Sequence, residues 1–503
     1  MDHADPSSSV HLRTRPCESH RMTAPLGRLT PLSHASSTSS RLERGSHGVL
    51  SHPVEHYYRC DPHVLRELLS HERPTDPTAR RVRDILVSLI GGNPYTGRPR
   101  KGVIGVPPDA WARAIRLRTA GTPRSALELV QTTGPAPVSS VQIDASQGWN
   151  PFMTMWRGST ALLAGDLPEA EAHLDRARMW RVPREVSALQ REACSWSVLL
   201  QAFFGDPSDA LTEIQVLDDL PRTESWVESD VAAARYLAGE ALRESPRFDR
   251  GSAEPIARWS LRETWPFLFW LQSRSAVRRG AATELDIVID STARAGWPGA
   301  ESRQGIAGSA LPLVGALSAA LRGDAKKARE QLSRADSRSD FTTWVSAGLL
   351  LDIGDQDAAS EAAARLLDRS CSLRRIRITA NAVLAAVALE RRDASAAEEH
   401  LGELRLLARP LSSTEITRLP AAVRAALEEH RDKGAPAEIG PRFTRADREL
   451  LQMLESGLSR GQIAANLYIS INTVKTRLRL LYRKLNVGNA ADAVVAAHRR
   501  GLL

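Results

Sequence analysis

A run of basic and polar side chains near the C-terminus offers the clearest chemistry in this sequence. Thr476, Arg479 and Arg483 recur at helical spacing, so a helix would place them on one face, with Lys475 beside them. Guanidinium and ammonium groups donate to phosphate oxygens and to O6 and N7 of guanine. Residues 441–503 hold 11 Lys and Arg against 4 Asp and Glu, a net +7 in a chain of net +8. This concentration predicts a large anionic partner, most simply duplex DNA.

Start and stop signals divide residues 442–503 into four short helices. The first is predicted to end at Gly457, and the last at Gly501. The third has an apolar face at steps of four, three and four, formed by Val474, Leu478, Leu481 and Leu485. The residues predicted to cap the four helices are Thr444, Ser459, Ser470 and Asn489. A short helix, a tight turn and a helix with a cationic outer face predict a helix-turn-helix.

In such a unit the third helix enters the major groove, which assigns roles to its side chains. Lys475, Thr476 and Arg479 are predicted to read base edges. The side chains predicted to hold phosphates, which set register without reading sequence, are Thr473, Arg477, Arg483 and Lys484. The alternative is that these are ordinary exposed charges on a surface helix.

This segment resembles the C-terminal DNA-binding domain of the LuxR family of bacterial transcription regulators. The resemblance is carried by Asn489 and by residues 457–459, 463–464, 469–470, 472–476, 478–479, 482–485, 493–494 and 501–503. It implies four helices, with the third reading the groove and the fourth pairing two protomers on a dyad-symmetric site. It also implies a sequence-specific regulator of transcription, an activator by family expectation, acting as a homodimer on double-stranded DNA with RNA polymerase as a candidate partner.

The segment departs from the family pattern at a few positions. The family's first helix usually opens with an Arg-Glu pair, and Ala446 and Asp447 stand there in this chain. Arg477 and Leu480 occupy positions where His and Asn are frequent. Arg477 adds a hydrogen-bond donor and Leu480 removes one, so we expect these changes to alter the base preference and to leave the fold intact.

The long middle region, residues 61–430, predicts an all-α fold of helical repeats. A Gly-Asp break followed by an Ala-rich helix recurs at Gly165-Asp166, Gly205-Asp206, Gly323-Asp324 and Gly354-Asp355. Helix pairs joined by a glycine turn are typical of a tetratricopeptide-like solenoid, which binds a protein or a small molecule on its concave face. Because the period is uneven, a non-repeating helical domain is the alternative.

The flanking segments complete the predicted organisation. Residues 1–60 are rich in Ser and His and poor in apolar residues, which predicts a disordered tail. Residues 431–441 contain several Gly and Pro residues and predict a linker between the repeats and the basic unit at 442–503. Within the repeats, the aromatic segment 265–271 could line a ligand site, although such a run more often forms core.

The sequence predicts neither an enzyme nor a cofactor or metal site. Catalytic motifs are not found, and the four cysteines, Cys17, Cys60, Cys194 and Cys371, have no paired spacing. The longest uncharged run, residues 305–321, is short for a membrane span and contains Pro312. We therefore expect a cytoplasmic, nucleoid-associated regulator. Two alternatives remain open. One is a repeat scaffold with a vestigial DNA-binding unit, and the other is a nucleotide-hydrolysing regulator whose phosphate site has diverged to the loop at 92–99.

Overall fold

The computed structural model describes most of the chain after residue 49. The described residues are 50, 52–91, 110–133, 148–180, 182, 184–243, 261–369, 372–407, 416, 419–433, 445–467, 471–485, 487–499 and 502–503. Within these residues the protein consists of 23 α-helices with short 3-10 turns and contains no β-strand. The predicted all-α fold is confirmed.

The first 19 helices form the repeat region. In chain order α1–α10 are Pro53–Arg59, Pro62–His71, Pro77–Gly91, Ala110–Thr119, Pro123–Thr133, Trp149–Ala164, Leu167–Met179, Ser187–Phe204, Pro207–Asp219 and Glu228–Leu242. Helices α11–α19 are Trp265–Arg278, Ala282–Ala295, Gly305–Leu321, Ala325–Leu332, Asp340–Asp352, Gln356–Asp368, Arg374–Glu390, Ala394–Leu407 and Ala421–Lys433.

The recurring Gly-Asp pair builds the turns between paired helices, as the sequence indicates. Gly165 takes a left-handed φ of 74° and ends α6. This backbone conformation is unfavourable for residues that have a side chain. The carboxylate of Asp166 then accepts a hydrogen bond from the backbone amide of Glu169 and caps α7. Asp324 and Asp355 cap α14 and α16 in the same way. The glycine therefore stops one helix, and the aspartate starts the next.

The helices pack in chain order and then fold back on themselves. Each of α15 and α17 packs against the helix that follows it, and α13, α15 and α17 also contact one another in sequence. Helix α6 contacts α13, and α8 contacts α17, although these partners lie well over 100 residues apart. The start of α15 also meets the end of α6, where the backbone amide of Asp340 donates to the carbonyl of Gly165 at 2.8 Å. This stacking suits a helical array, while its tetratricopeptide-like character stays a prediction.

The aromatic segment at the start of α11 belongs to the hydrophobic core. Trp265, Phe267, Phe269 and Trp270 are each at most 8% exposed. Phe267 meets Phe203 of α8 edge to face, with ring centroids 4.8 Å apart. These contacts confirm the core interpretation of this run and leave its rings unavailable to line an open ligand site.

Two predicted boundaries need correction at their edges. Helix α1 lies inside the segment 1–60 that we predicted to be a disordered tail, and its Val54 and Tyr58 are each 1% exposed. Burial of these apolar side chains offsets the conformational entropy lost when α1 becomes ordered. The Ser-rich composition of the segment does not indicate this burial. Helix α19 continues to Lys433, so it includes the first residues of the predicted linker. Residues 1–49 and 434–441 lie outside the described residues.

The last four helices form a unit with its own core. They are α20 (Arg445–Glu455), α21 (Arg460–Asn466), α22 (Ile471–Leu485) and α23 (Ala490–Arg499). Leu450 and Leu451 of α20, Ile463 of α21 and Ala493 of α23 are buried against the apolar face of α22. The four predicted helices of the C-terminal unit are thus confirmed.

Candidate nucleic-acid interface

The inner face of α22 fixes how this helix is presented. Val474, Leu478, Leu481 and Leu485 are at most 2% exposed, as their spacing predicts. Burying a leucine side chain contributes roughly 1.5–3 kcal/mol, so these four residues hold the rotation of the helix about its axis. The opposite side of α22 is consequently held toward solvent.

Capping interactions set the position of α21, the helix that precedes the turn. The backbone amide of Gln462 donates to Oγ of Ser459 at 3.3 Å. The backbone amide of Ser459 donates in return to Oε1 of Gln462 at 2.8 Å. This is the predicted capping box, and Gly457, with φ of 71°, ends α20 just before it. The predicted cap of α23 is also present, since Oδ1 of Asn489 accepts from the amide of Asp492.

The cations predicted to contact DNA fall into two groups in the structure. Lys475, Arg479 and Arg483 are exposed on α22. Among the described residues none of these three side chains forms an ion pair. Such unpaired, hydrated cations are the groups that can exchange water for phosphate or base-edge oxygens. Thr473 and Thr476 lie on the same helix, but their side chains lie outside the described part of the structure, as do those of the turn residues 468–470.

Lys484 is engaged inside the unit, which the sequence did not indicate. Its Nζ lies 2.7 Å from Oδ2 of Asp447, and the Asp447 side chain is only 11% exposed. The pair joins the end of α22 to the start of α20. Asp447 stands where the resemblance expects an acidic residue, so this departure from the family pattern retains a carboxylate.

Comparison with known proteins places this unit among bacterial regulators. Residues 441–497 match the family "Bacterial regulatory proteins, luxR family". The probable transcriptional regulatory protein NarL of Mycobacterium tuberculosis is 39% identical over 84 residues, 17% of this chain and 38% of NarL. The HTH-type transcriptional regulator MalT of Vibrio campbellii is 41% identical over 55 residues, 11% of this chain and 6% of MalT. No solved structure matches the chain.

Residues 441–497 form a luxR-family helix-turn-helix domain. In this domain the chain is similar to these transcriptional regulators. The chain is also similar to a nitrate/nitrite response regulator protein homolog of Haemophilus influenzae. The two are 47% identical over 60 residues, which is 12% of this chain and 29% of the homolog. The chain therefore spans well under half of these relatives, and the similarity covers the luxR-type domain and little else.

One side of the luxR-type domain faces the repeat region. Arg477 is half-buried, and its Nη1 has no hydrogen-bond partner among the described residues. Burial lowers the pKa of its guanidinium, Arg178 of α7 lowers it further, and Glu213 of α9 opposes both. Met179, the last residue of α7, packs against the hydrophobic cluster of the domain. The sequence carries no signal for this contact, because its partners are nearly 300 residues apart.

The described residues also bear on other functions. No described helix is long and apolar enough to span a membrane. No group of His, Cys, Asp and Glu side chains in the described part of the chain could hold a metal ion. Cys60 and Cys194 are buried as free thiols.

Proposed function

We propose that the luxR-type domain binds duplex DNA sequence-specifically by inserting α22 into the major groove. The observation that carries this proposal is the set of exposed, unpaired cations, Lys475, Arg479 and Arg483, on a helix whose inner face is locked by buried leucines. Lys475, Thr476 and Arg479 read base edges, with the lysine and arginine suited to guanine. Thr473, Arg477, Arg483 and Lys484 hold phosphates on either side of the groove.

Two copies of the chain bind together through α23 in this proposal. The side chain of Val495 on α23 is 50% exposed. The exposed Ala491 lies one turn before it on the same face. An apolar strip on a short surface helix suits a self-complementary contact between two protomers, which would present two α22 helices to a two-fold symmetric site.

In this proposal the repeat region binds the signal that controls the regulator. The regulator acts as an activator in the cytoplasm, together with RNA polymerase. A cavity of about 1070 Å³ lies between α12, α13 and α14 and supports this assignment. Asp290, Arg303 and Lys327 line it together with the apolar Leu311 and Pro312. Charged groups placed beside apolar side chains can fix the orientation of a bound small molecule or peptide.

Selection of bound duplexes from a random library, with the full-length protein at fixed salt, tests this function. We expect an enriched motif in the form of an inverted repeat. Arg479→Ala should weaken binding to that motif by roughly 1–3 kcal/mol and relax the preference at one base position, because a bidentate contact is lost.

Arg448→Ala is the matched control, because Arg448 is an exposed cation of the same domain on α20 rather than α22. It should leave the base preference unchanged. If Arg479→Ala and Lys475→Ala both bind like the unmodified protein, α22 does not read the groove. If no motif is enriched at all, the domain does not recognise sequence.

A further inference from the structure

The cavity beside α13 is an elongated groove whose floor is one face of that helix. The floor residues recur every three or four positions and are mostly small: Gly308, Leu311, Pro312, Gly315, Ser318 and Ala319. Arg322, just after the helix, lines the far end. From residue 308 to residue 322 a helix advances about 21 Å, the length of about six residues of extended chain.

The size of the groove favours a segment of polypeptide over a small metabolite. Its volume is about 1070 Å³. Pockets for small molecules are roughly 300–1,000 Å³ and enclose most of the ligand surface. In this groove the charged residues on both sides, such as Asp290 and Lys327, are exposed to solvent. A peptide in an extended conformation fits a long, shallow site of this kind and keeps one side in water.

The two walls of the groove carry opposite charge. Asp286 and Asp290 line it from α12, one helical turn apart, and Lys327 lines it from α14. Burial tends to raise the pKa of Asp286, but hydrogen bonds from Arg322 and Ser318 lower it below its usual value. The ammonium group of Lys327 lowers this pKa further, because it acts on the carboxylate from the opposite wall.

Several charges of the groove have no partner inside the described part of the protein. Asp290 and Lys327 form no ion pair there, and neither do Glu301 and Arg303, which line the end of the groove next to the start of α13. Asp324 also lines the groove, but its carboxylate caps α14 by accepting from the backbone amide of Lys327 at 2.9 Å. The groups left for a ligand are a carboxylate on the α12 side, an ammonium on the α14 side and one charge of each sign at the end.

The groove also offers hydrogen-bonding groups that suit a peptide backbone. Pro312 lies inside α13 and has no amide hydrogen, so it cannot donate to the carbonyl of Gly308 four residues earlier. The amide of Gln331 lies over the middle of the floor, with Oε1 3.3 Å from the position that a Cβ on Gly315 would take. These groups can pair with the amide and carbonyl groups of an extended chain.

We infer that this groove binds an extended segment of a partner protein, about six residues long, in which acidic and basic side chains alternate. Successive side chains of an extended chain point to opposite sides, so the basic ones meet the α12 wall and the acidic ones meet the α14 wall. This inference rests on the proposed function, since it names the class of signal that the repeat region receives. Binding of the peptide itself does not depend on DNA recognition by α22.

Fluorescence anisotropy with the full-length protein and two labelled octapeptides, at low ionic strength, tests the inference. In the first octapeptide lysine and glutamate alternate. In the second, four lysines precede four glutamates, so that composition and net charge are the same. We expect the alternating octapeptide to bind about tenfold tighter or more, because only alternation places each charge against the complementary wall.

Lys327→Glu is the decisive variant, because it makes both walls acidic. It should weaken binding of the alternating octapeptide about tenfold or more and strengthen binding of an octamer of lysine. The gain with the lysine octamer shows that the variant is folded. Lys326→Glu makes the same charge change at an exposed neighbour on α14 that does not line the groove, and it should bind all three peptides like the unmodified protein.

Gly315→Met tests the floor of the groove without changing any charge. The new side chain would extend toward Gln331 and occupy the groove, so binding of the alternating octapeptide should be lost. Because glycine is a poor helix former, the urea midpoint of the variant should not fall below that of the unmodified protein. Retained binding by a folded Gly315→Met protein would place the peptide outside the groove and contradict the inference.

Two further outcomes would overturn the inference. One is equal binding, or no binding, of the alternating and block octapeptides, and the other is an equal loss in Lys327→Glu and Lys326→Glu. Duplex selection with the unmodified protein separates this failure from that of the proposed function. An enriched motif without discrimination between the octapeptides contradicts the groove inference and retains DNA recognition. Discrimination without an enriched motif contradicts DNA recognition and retains the groove as a peptide site.

Discussion

The repeat region and the luxR-type domain use the same residue type in opposite ways. In the repeats, Arg118 is 9% exposed and donates to Glu263 at 2.6 Å and to Ser159 at 2.7 Å. Arg124 pairs with Asp336 at 2.9 Å and also donates to a backbone carbonyl. In the luxR-type domain, by contrast, Arg479 and Arg483 are exposed, and within the described residues they form no ion pair.

This difference shows which arginines are available to an outside partner. A buried guanidinium with every donor directed at an internal acceptor stabilises the arrangement of its helices. An exposed guanidinium without a partner adds little to stability and keeps its donors for a ligand. Arginine is abundant throughout the chain, so pairing and burial separate the two roles better than the count of charges does.

The largest expected effect is a loss of stability on removing a buried, paired arginine of the repeat region. Arg118→Ala should destabilise the repeat region by about 3–5 kcal/mol, because the carboxylate of Glu263 and two buried hydroxyls lose their donor. Urea unfolding followed by tryptophan fluorescence measures this, since all 11 tryptophans lie between residues 111 and 344. Arg279→Ala, which breaks an exposed pair with Glu284, should cost less than about 1 kcal/mol. Equal losses in both variants would contradict the role of burial.

Asp230, a half-buried carboxylate of the repeats, provides a pH-dependent test of the same difference. Burial raises the pKa of Asp230 to about 7, with Glu192 and Glu263 raising it and Arg262 lowering it. The folded pKa exceeds the unfolded value of about 3.9, so stability should fall as pH rises from about 4 to about 7. Asp230→Asn should remove this dependence and stabilise the protein at pH 8 by on the order of 2 kcal/mol.

Urea unfolding at pH 5 and at pH 8 measures this difference. The stabilisation by Asp230→Asn should be clearly larger at pH 8, where the native carboxylate is charged. Asp219→Asn, the same substitution at an exposed position of α9, is the control and should change stability little at either pH. A pH-independent difference between Asp230→Asn and the unmodified protein would show that burial does not control this group.

The smallest expected effect concerns a free cation of α22. Arg483→Ala should leave unfolding unchanged and lower the slope of log K against log salt by about 1, because one phosphate contact is lost. Binding titrations of a selected duplex at several salt concentrations measure the slope. Arg448→Ala on α20 should leave it unchanged. A slope that falls equally in both variants would indicate a general charge effect instead of a contact by α22.

The local features of the luxR-type domain could be predicted from the sequence, because each depends on residues a few positions apart. The capping box of Ser459 and Gln462 and the buried face ending at Leu485 are examples. The Gly-Asp turns of the repeats are confirmed for the same reason. The edges predicted for the tail and the linker differ from the structure. Composition does not reveal that Tyr58, within the predicted tail, is buried, or that a helix continues to Lys433.

The sequence by itself determined the four-helix unit, the two faces of α22 and the concentration of positive charge, since helical period and capping are local properties of the chain. Only the tertiary structure decided which cations of α22 remain free. Lys484 pairs with Asp447, 37 residues away. Arg477 is half-buried, and burial and Arg178 lower the pKa of its guanidinium while Glu213 raises it. Both environments require helices distant in sequence to pack together, and the packing depends on burial and charge summed over the whole fold.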